Sequence, residues 1–234
     1  MANTTLHLIS AGAAKGLVEA LRDEWTASTQ VTIDGSFGAV GAMKDKLLAD
    51  APCDVLILTQ AMLEELAAKN VVAADSIRPL GRVFTGVAVP DGAVPPAIDS
   101  PDALRQSLLC ATAIYIPDPQ RATAGIHFAN VLKQLGIDQV VAPRLRALPN
   151  GAAAMHAMAN ANDPGAIGCT QVTEILYTDR VTLIGLLPKA FELATLYSVV
   201  VCTGSRAPAL ARRFADLLAG DKTAALRAQG GFQP

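Results

Sequence analysis

Aromatic residues are scarce in this 234-residue chain, at 4% of the total, although apolar residues as a whole make up 51%. A core therefore has to be built from Ala, Val, Leu and Ile rather than around stacked rings. Charge of one sign is also lacking: 19 Lys and Arg stand against 21 Asp and Glu, a net charge of −2. There is no basic cluster with interleaved aromatics, which argues against a nucleic-acid partner. No apolar run approaches the roughly 18 to 20 residues of a membrane helix, which argues against membrane insertion. Only three histidines occur, His7, His127 and His156, and the four cysteines Cys53, Cys110, Cys169 and Cys202 are widely spaced. No zinc-ligand spacing results, and neither a metal nor a cofactor is expected. A phosphate-binding GxxxxGK[ST] loop, a full dinucleotide fingerprint and a GxSxG nucleophile motif are all missing. The first ten residues lack the basic and long apolar regions of a secretion leader, so a cytoplasmic protein is expected, or a periplasmic one if a leader has been removed. The cysteines sit in or beside apolar runs and read as small buried hydrophobes, and free thiols suit a reducing compartment.

What is present is alternation. Short apolar strands at 6–9, 31–33 and 54–58 are each followed by a helical pattern, at 14–24, 42–48 and 61–69. Strand–helix repetition of this kind predicts a mostly parallel sheet covered by helices. A longer extended run at 83–89 ends in Pro90-Asp91-Gly92 and reads as a crossover into a second lobe. There the spacing predicts a helix at 101–109, a strand at 113–117, a helix at 126–135 stopped by Gly136, a strand at 140–141, a helix at 152–159, and strands at 166–169 and 181–186. A second extended run at 196–202 returns to the first lobe, and helices at 208–218 and 222–229 close the chain. The expected division is residues 1–85 plus 197–234 as a discontinuous first lobe and 86–196 as the second. Each lobe is a mixed, mostly parallel α/β sheet flanked by helices, joined by a two-strand hinge with a ligand cleft between them.

Open α/β sheets bind ligands at the carboxyl ends of their strands. Three such ends carry related loops: Ser10-Ala11-Gly12-Ala13-Ala14-Lys15-Gly16, then Gly35-Ser36-Phe37-Gly38-Ala39-Val40-Gly41, then Asp118-Pro119-Gln120-Arg121-Ala122-Thr123-Ala124-Gly125. Each combines small residues with a helix start. Free N–H groups and the helix dipole favour an anion there, and Gly and Ala let it approach the backbone.

These loops carry a resemblance, together with Phe37-Gly38-Ala39-Val40-Gly41-Ala42-Met43-Lys44, Asp54-Val55-Leu56-Ile57-Leu58-Thr59, Thr123-Ala124-Gly125-Ile126-His127-Phe128, and the segment 166–174 ahead of Leu187-Pro188. In order and spacing they resemble the molybdate-binding branch of the type II periplasmic binding proteins. The resemblance implies a two-lobed type II solute-binding fold and an anion held by backbone N–H groups and a few hydroxyls. Ser36 matches a second-loop serine, and Thr123 to Gly125 and Asn150-Gly151 match backbone contacts of the second lobe. Ala13 or Ala14 stands where relatives have a serine, and Gln171 where they have a tyrosine. These departures point from a tetrahedral oxyanion toward an organic acid.

Some members of that branch resemble aconitate isomerase, which moves a proton across an allylic tricarboxylate. The resemblance therefore implies either cofactor-free isomerisation of a polycarboxylate or a solute receptor working with a transporter permease. A 1,3-proton shift needs a base near an acidic C–H and cations or N–H dipoles for the developing charge. Lys15, His127 and Glu174 are the candidate catalytic groups. Gly12, Ala13, Ala14, Ser36, Gly38, Thr59, Arg121, Thr123, Ala124, Gly125, Asn150, Gly151 and Gln171 are the candidate ligand contacts. Each has a structural reading beside it: His127 as a first-turn packing residue, Glu174 as a helix cap, Arg121 as a surface cation. Arg144 and Arg146 are further candidates for the cleft wall.

Overall fold

The computed structural model describes residues 4–234. In chain order it contains β1 (Thr5–Ala11), α1 (Lys15–Thr29), β2 (Thr32–Gly38), α2 (Val40–Leu48), β3 (Val55–Thr59), α3 (Gln60–Ala68), β4 (Arg78–Pro90), α4 (Pro101–Cys110), β5 (Ile114–Pro117), α5 (Thr123–Gln134), α6 (Asp138–Val141), β6 (Leu145–Leu148), α7 (Gly151–Asn160), β7 (Ile167–Gln171), α8 (Val172–Leu176), β8 (Val181–Leu186), β9 (Ala194–Val201), α9 (Pro208–Ala219) and α10 (Ala224–Gln229). The chain divides into two compact units, Met1–Arg82 with Thr195–Pro234, and Val83–Ala194. The divisions fall inside β4 and at the first residue of β9.

In the first unit the strand order is β2-β1-β3-β9. β1 runs parallel to β2 and β3, and β9 runs antiparallel to β3. Leu56, Ile57 and Leu58 are fully buried, as expected of a strand enclosed on both faces. Helix α1 buries Leu17, Val18, Leu21 and Trp25, a stripe at helical spacing. Its Trp25 ring meets Phe214 of α9 edge-on, with centroids 4.9 Å apart, so the single tryptophan joins an early helix to a late one. Helix α9 buries Ala211, Phe214, Ala215 and Leu218, again one face.

The second unit has the order β4-β7-β5-β6, with β8 on β4. β5 is parallel to β6 and β7, while β4 is antiparallel to β7 and β8. Its core gathers Val87, Leu104, Leu108, Ile114, Ile116, Phe128, Val131 and Leu132. A smaller cluster on α7 is built around Met155 and Met158. Branched aliphatics and methionines thus fill the volume that aromatics would take elsewhere.

Three local expectations need correction. The Val140-Val141 pair lies in the short helix α6, and the strand is β6, four residues further on. Since β6 lies at the edge of its sheet, Arg146 and Ala147 are exposed and no apolar run marks it. The stretch Gly35 to Gly38 is strand rather than loop, paired with Leu8 to Ala11 of β1. An edge position tolerates its glycines and serine, and the turn into α2 shrinks to Ala39. Cys110 is exposed, at the end of α4, rather than buried.

One buried carboxylate ties the first unit together. Asp54 is 4% exposed. Its Oδ2 accepts the His7 N–H at 2.9 Å, and its Oδ1 accepts the Ser205 hydroxyl at 2.7 Å and the Arg206 N–H at 3.1 Å. Asp54→Ala strands three donors, at a cost of about 3 kcal/mol. The melting temperature should drop by about 10 °C in a calorimetric scan. A drop of under about 2 °C would show that Asp54 is not the tie.

Candidate functional site

Parallel strands that share a sheet deliver their following helices to the same edge. In the first unit β1, β2 and β3 end at Ala11, Gly38 and Thr59, and a helical turn starts directly after each. The first is a 3-10 turn, Gly12–Ala14, that leads into α1. Its N-cap is Ala11 and that of α2 is Ala39, and neither makes a side-chain capping bond. Alanine has no side-chain atom with which to accept the N–H groups that a helix start leaves unbonded. Helix α3 differs, because the Thr59 hydroxyl accepts the Met62 N–H at 3.4 Å. Among the candidate contacts, Gly12, Ala13, Ala14, Gly38 and Thr59 therefore lie at one edge, with Lys15 opening α1 beside them. The Lys15 charge lowers the carboxyl of Glu19 one turn on, after the larger effect of the Arg22 hydrogen bond. Ser36 lies inside β2, where its hydroxyl accepts Lys46 Nζ at 2.6 Å.

The second unit repeats the arrangement with β5, β6 and β7, which end at Pro117, Leu148 and Gln171. Helix α5 has Ala122 at its N-cap and no side-chain capping bond, so the N–H groups of Thr123, Ala124 and Gly125 begin it uncapped. The approach to it is fixed by Asp118, whose Oδ1 accepts the N–H groups of Gln120 at 2.7 Å and Arg121 at 3.2 Å. The Arg121 side chain is exposed. Gly125 has a packing reason to be glycine: a Cβ there would lie 2.3 Å from the Asp118 carbonyl oxygen and 2.4 Å from that of Pro117.

Helix α7 is satisfied by the protein itself. The Asn150 side chain accepts the Ala153 N–H at 2.8 Å. The Glu174 carboxylate, 6% exposed, takes hydrogen bonds from the N–H groups of Gly151, Ala152 and Gln171 and from the Thr170 hydroxyl at 2.6 Å. A Cβ on Gly151 would stand 1.9 Å from Glu174 Oε2, so glycine here lets a protein carboxylate reach the helix end. Asn150, Gly151 and Glu174 thus meet, with an internal anion where an external one was expected. Burial pushes the Glu174 carboxyl above its ordinary range, against the lowering effect of its hydrogen bonds.

The remaining candidates are placed by their partners. His127 Nε2 lies 2.7 Å from the Phe191 carbonyl oxygen, and a carbonyl only accepts, so Nε2 carries the hydrogen and Nδ1 is the basic nitrogen. Gln171 is buried at the end of β7, paired in register with Thr85 of β4. Arg144 donates to the carbonyls of Leu109 and Ala111 and so closes the end of α4, while Arg146 donates to those of Pro143 and Leu145. Reasoning from sequence missed Thr85 and Thr173 as candidates. Both hydroxyls are buried without a hydrogen-bond partner among the described residues. A polar residue inside an apolar strand was the only signal available for Thr85, and a weak one. No group of three or more His, Cys, Asp or Glu among the described residues is arranged to hold a metal ion.

Glu174 gives a signed pH dependence. A carboxyl whose native value lies above its unfolded one, near 4.5, binds more protons when folded, so its contribution is full below pH 4.5 and is lost as pH rises. The melting temperature of the wild type, less that of Glu174→Gln, should therefore fall steadily from pH 4.5 toward 8. A difference that stays flat or rises would contradict the raised carboxyl.

The pattern of the bacterial extracellular solute-binding protein family matches residues 6–233. An aconitate isomerase from a Pseudomonas species is 27% identical over 237 residues, covering 99% of this chain and 88% of that protein. The periplasmic molybdate-binding protein of Azotobacter vinelandii superposes with a TM-score of 0.79 at 18% identity, over 98% of this chain and 99% of that one. The sulfate-binding protein of Mycobacterium tuberculosis H37Rv does so at 0.75 and 20%, over 99% and 87%. The architecture is the type II periplasmic solute-binding fold expected from the loop sequences, and its relatives include molybdate-binding proteins. With the match running over nearly its whole length, the chain belongs to the bacterial extracellular solute-binding protein family.

Proposed function

We propose that this protein binds a small polycarboxylate at its uncapped helix N-termini and isomerises it by a cofactor-free 1,3-proton shift. The observation that carries the reading is the selective lack of caps. The starts at Gly12–Ala14, α2 and α5 have alanine caps and α8 has Gln171 without a capping bond, whereas α3 and α7 are closed by Thr59, Asn150 and Glu174. N-termini without a side-chain cap suit negatively charged groups. The orphan hydroxyls of Thr85 and Thr173 add donors at the end of β7. The likeness to an aconitate isomerase along 99% of the chain supports an allylic tricarboxylate as the substrate class.

In this reading Glu174 moves the proton: it is a carboxyl that burial raises above its ordinary range, at the end of β7 beside the orphan hydroxyls. Lys15 and Arg121 supply cationic charge for the substrate carboxylates, and His127, fixed by the Phe191 carbonyl, accepts at Nδ1. A second reading is a receptor for molybdate or another anion that serves a transporter permease. It is supported by the likeness to molybdate- and sulfate-binding proteins, and by the four donors on Glu174, which also fit a purely structural carboxylate.

Thermal-shift titrations with molybdate, tungstate, sulfate, phosphate, citrate, cis-aconitate and trans-aconitate separate the two readings. Stabilisation by the tricarboxylates alone, with interconversion of the aconitate isomers followed by proton NMR, is expected. Stabilisation by molybdate or tungstate alone would overturn the enzyme reading. Ala39→Ser then tests the mode of binding. A serine cap should stabilise the ligand-free protein by about 1 kcal/mol, yet weaken anion binding about tenfold by taking up an N–H that the ligand needs. Unchanged affinity in that variant would remove α2 from the site.

A further inference from the structure

We propose that Cys53 and Cys202 are a disulfide-forming pair, a modification site that staples the two chain segments of the first unit. Their Sγ atoms lie 3.3 Å apart although the residues are 149 positions apart in sequence. A bonded pair sits at about 2.05 Å, so closure asks for little more than about 1 Å of side-chain motion. The backbone already holds both ends in place. The Cys202 N–H donates to the Asp54 carbonyl at 3.0 Å, and the Thr203 N–H to that of Val71 at 3.1 Å. Cys53 and Cys202 also line a cavity of about 390 Å3 with His7, Asp54 and Arg206, through which a small oxidant reaches them. That cavity lies where β3 begins and β9 ends, the opposite sheet edge from the uncapped N-termini.

The oxidant is a low-molecular-weight disulfide. The Cys53 thiolate, on the more exposed residue of the two, attacks one sulfur of that disulfide, forms a mixed disulfide and expels one thiolate. The Cys202 thiolate then attacks Cys53 Sγ, closes the internal bond and expels the second. Two protein thiols are oxidised, two small thiols are formed, and each expelled thiolate takes up one of the protons the cysteines lose. The hydrogen bond to Cys202, then burial, push the Cys53 thiol well above its ordinary range, so the first attack is slow and accelerates with pH. Such a pair behaves as a staple set once rather than as a fast sensor. The covalent path between the first unit's segments, Met1–Arg82 and Thr195–Pro234, runs through the whole of the other unit. Closing so long a loop removes much of the freedom of the unfolded chain.

The full-length chain carrying Cys110→Ser, which removes the exposed thiol, would be incubated with excess oxidised glutathione at pH 8.5. It would then be denatured, alkylated and mapped without reduction. The expected result is the loss of two alkylatable thiols, a peptide linking Cys53 to Cys202, and a melting temperature higher than that of the reduced protein by on the order of 10 °C. Adding Cys53→Ala should abolish both the link and the stabilisation. The proposal fails if all thiols remain alkylatable, if glutathione persists on either cysteine, if the link joins other residues, or if the linked protein melts no higher than the reduced one.

Discussion

A helix that leaves the carboxyl end of a strand begins with N–H groups that no carbonyl of its own can accept. In this protein six helical starts of that kind follow the parallel strands; α8 has Gln171 at its cap with no side-chain bond, and the sequence treats the other five in two ways. At α3 and α7 the chain provides the acceptors itself, through the Thr59 hydroxyl, the Asn150 amide and the Glu174 carboxylate. At Gly12–Ala14, α2 and α5 the capping position is alanine. Replacing an alanine cap by serine would be a small stabilising change. Three alanines in that role are the kind of stability concession expected where backbone donors are reserved for something else.

Glu174 is where the functional readings divide. Its carboxylate closes α7, and Gly151 is glycine because that carboxylate and the Thr170 hydroxyl occupy the space of a Cβ. As a structural anion it frees the protein from needing a ligand at this helix end. It is also a buried acid, its carboxyl pushed above the ordinary range by burial, which is why the proposed proton shift is assigned to it. The two roles are compatible in one residue only if the carboxylate exchanges one of its donors for a ligand, and α5, next along the same sheet edge, starts without a side-chain cap.

Much of the fold could be read from the chain because its signals are local. The apolar run ahead of α3, the amphipathic stripe of α1 and the small-residue loops each carry their own periodicity or turn chemistry. What failed depended on sheet position. Edge strands β2 and β6 lack the apolar pattern of enclosed ones, so Gly35 to Gly38 passed for a loop and Leu145 to Leu148 was overlooked. The loops for a candidate anion site were visible in the same way, since small residues before a helix are a sequence feature. The contacts that decide their use were not: the bond from Lys46 to Ser36, from His127 to the Phe191 carbonyl, and from the α7 N-terminus to Glu174 all join positions that no motif links. Compartment was the least legible feature. The expectation was cytoplasmic, or periplasmic if a leader had been removed, and the family is described as extracellular.

The central claim is that the uncapped N–H groups are the anion-binding atoms. The direct measurement is a titration of the isotope-labelled protein with cis-aconitate, following backbone amide resonances by nitrogen–proton correlation NMR. The amides of Gly12, Ala13, Ala14, Val40, Gly41, Thr123, Ala124 and Gly125 should shift together in proportion to occupancy. Those of Met62 and Ala153, held by Thr59 and Asn150, should move little. Binding that shifts the capped amides and leaves the uncapped ones unmoved would contradict the account.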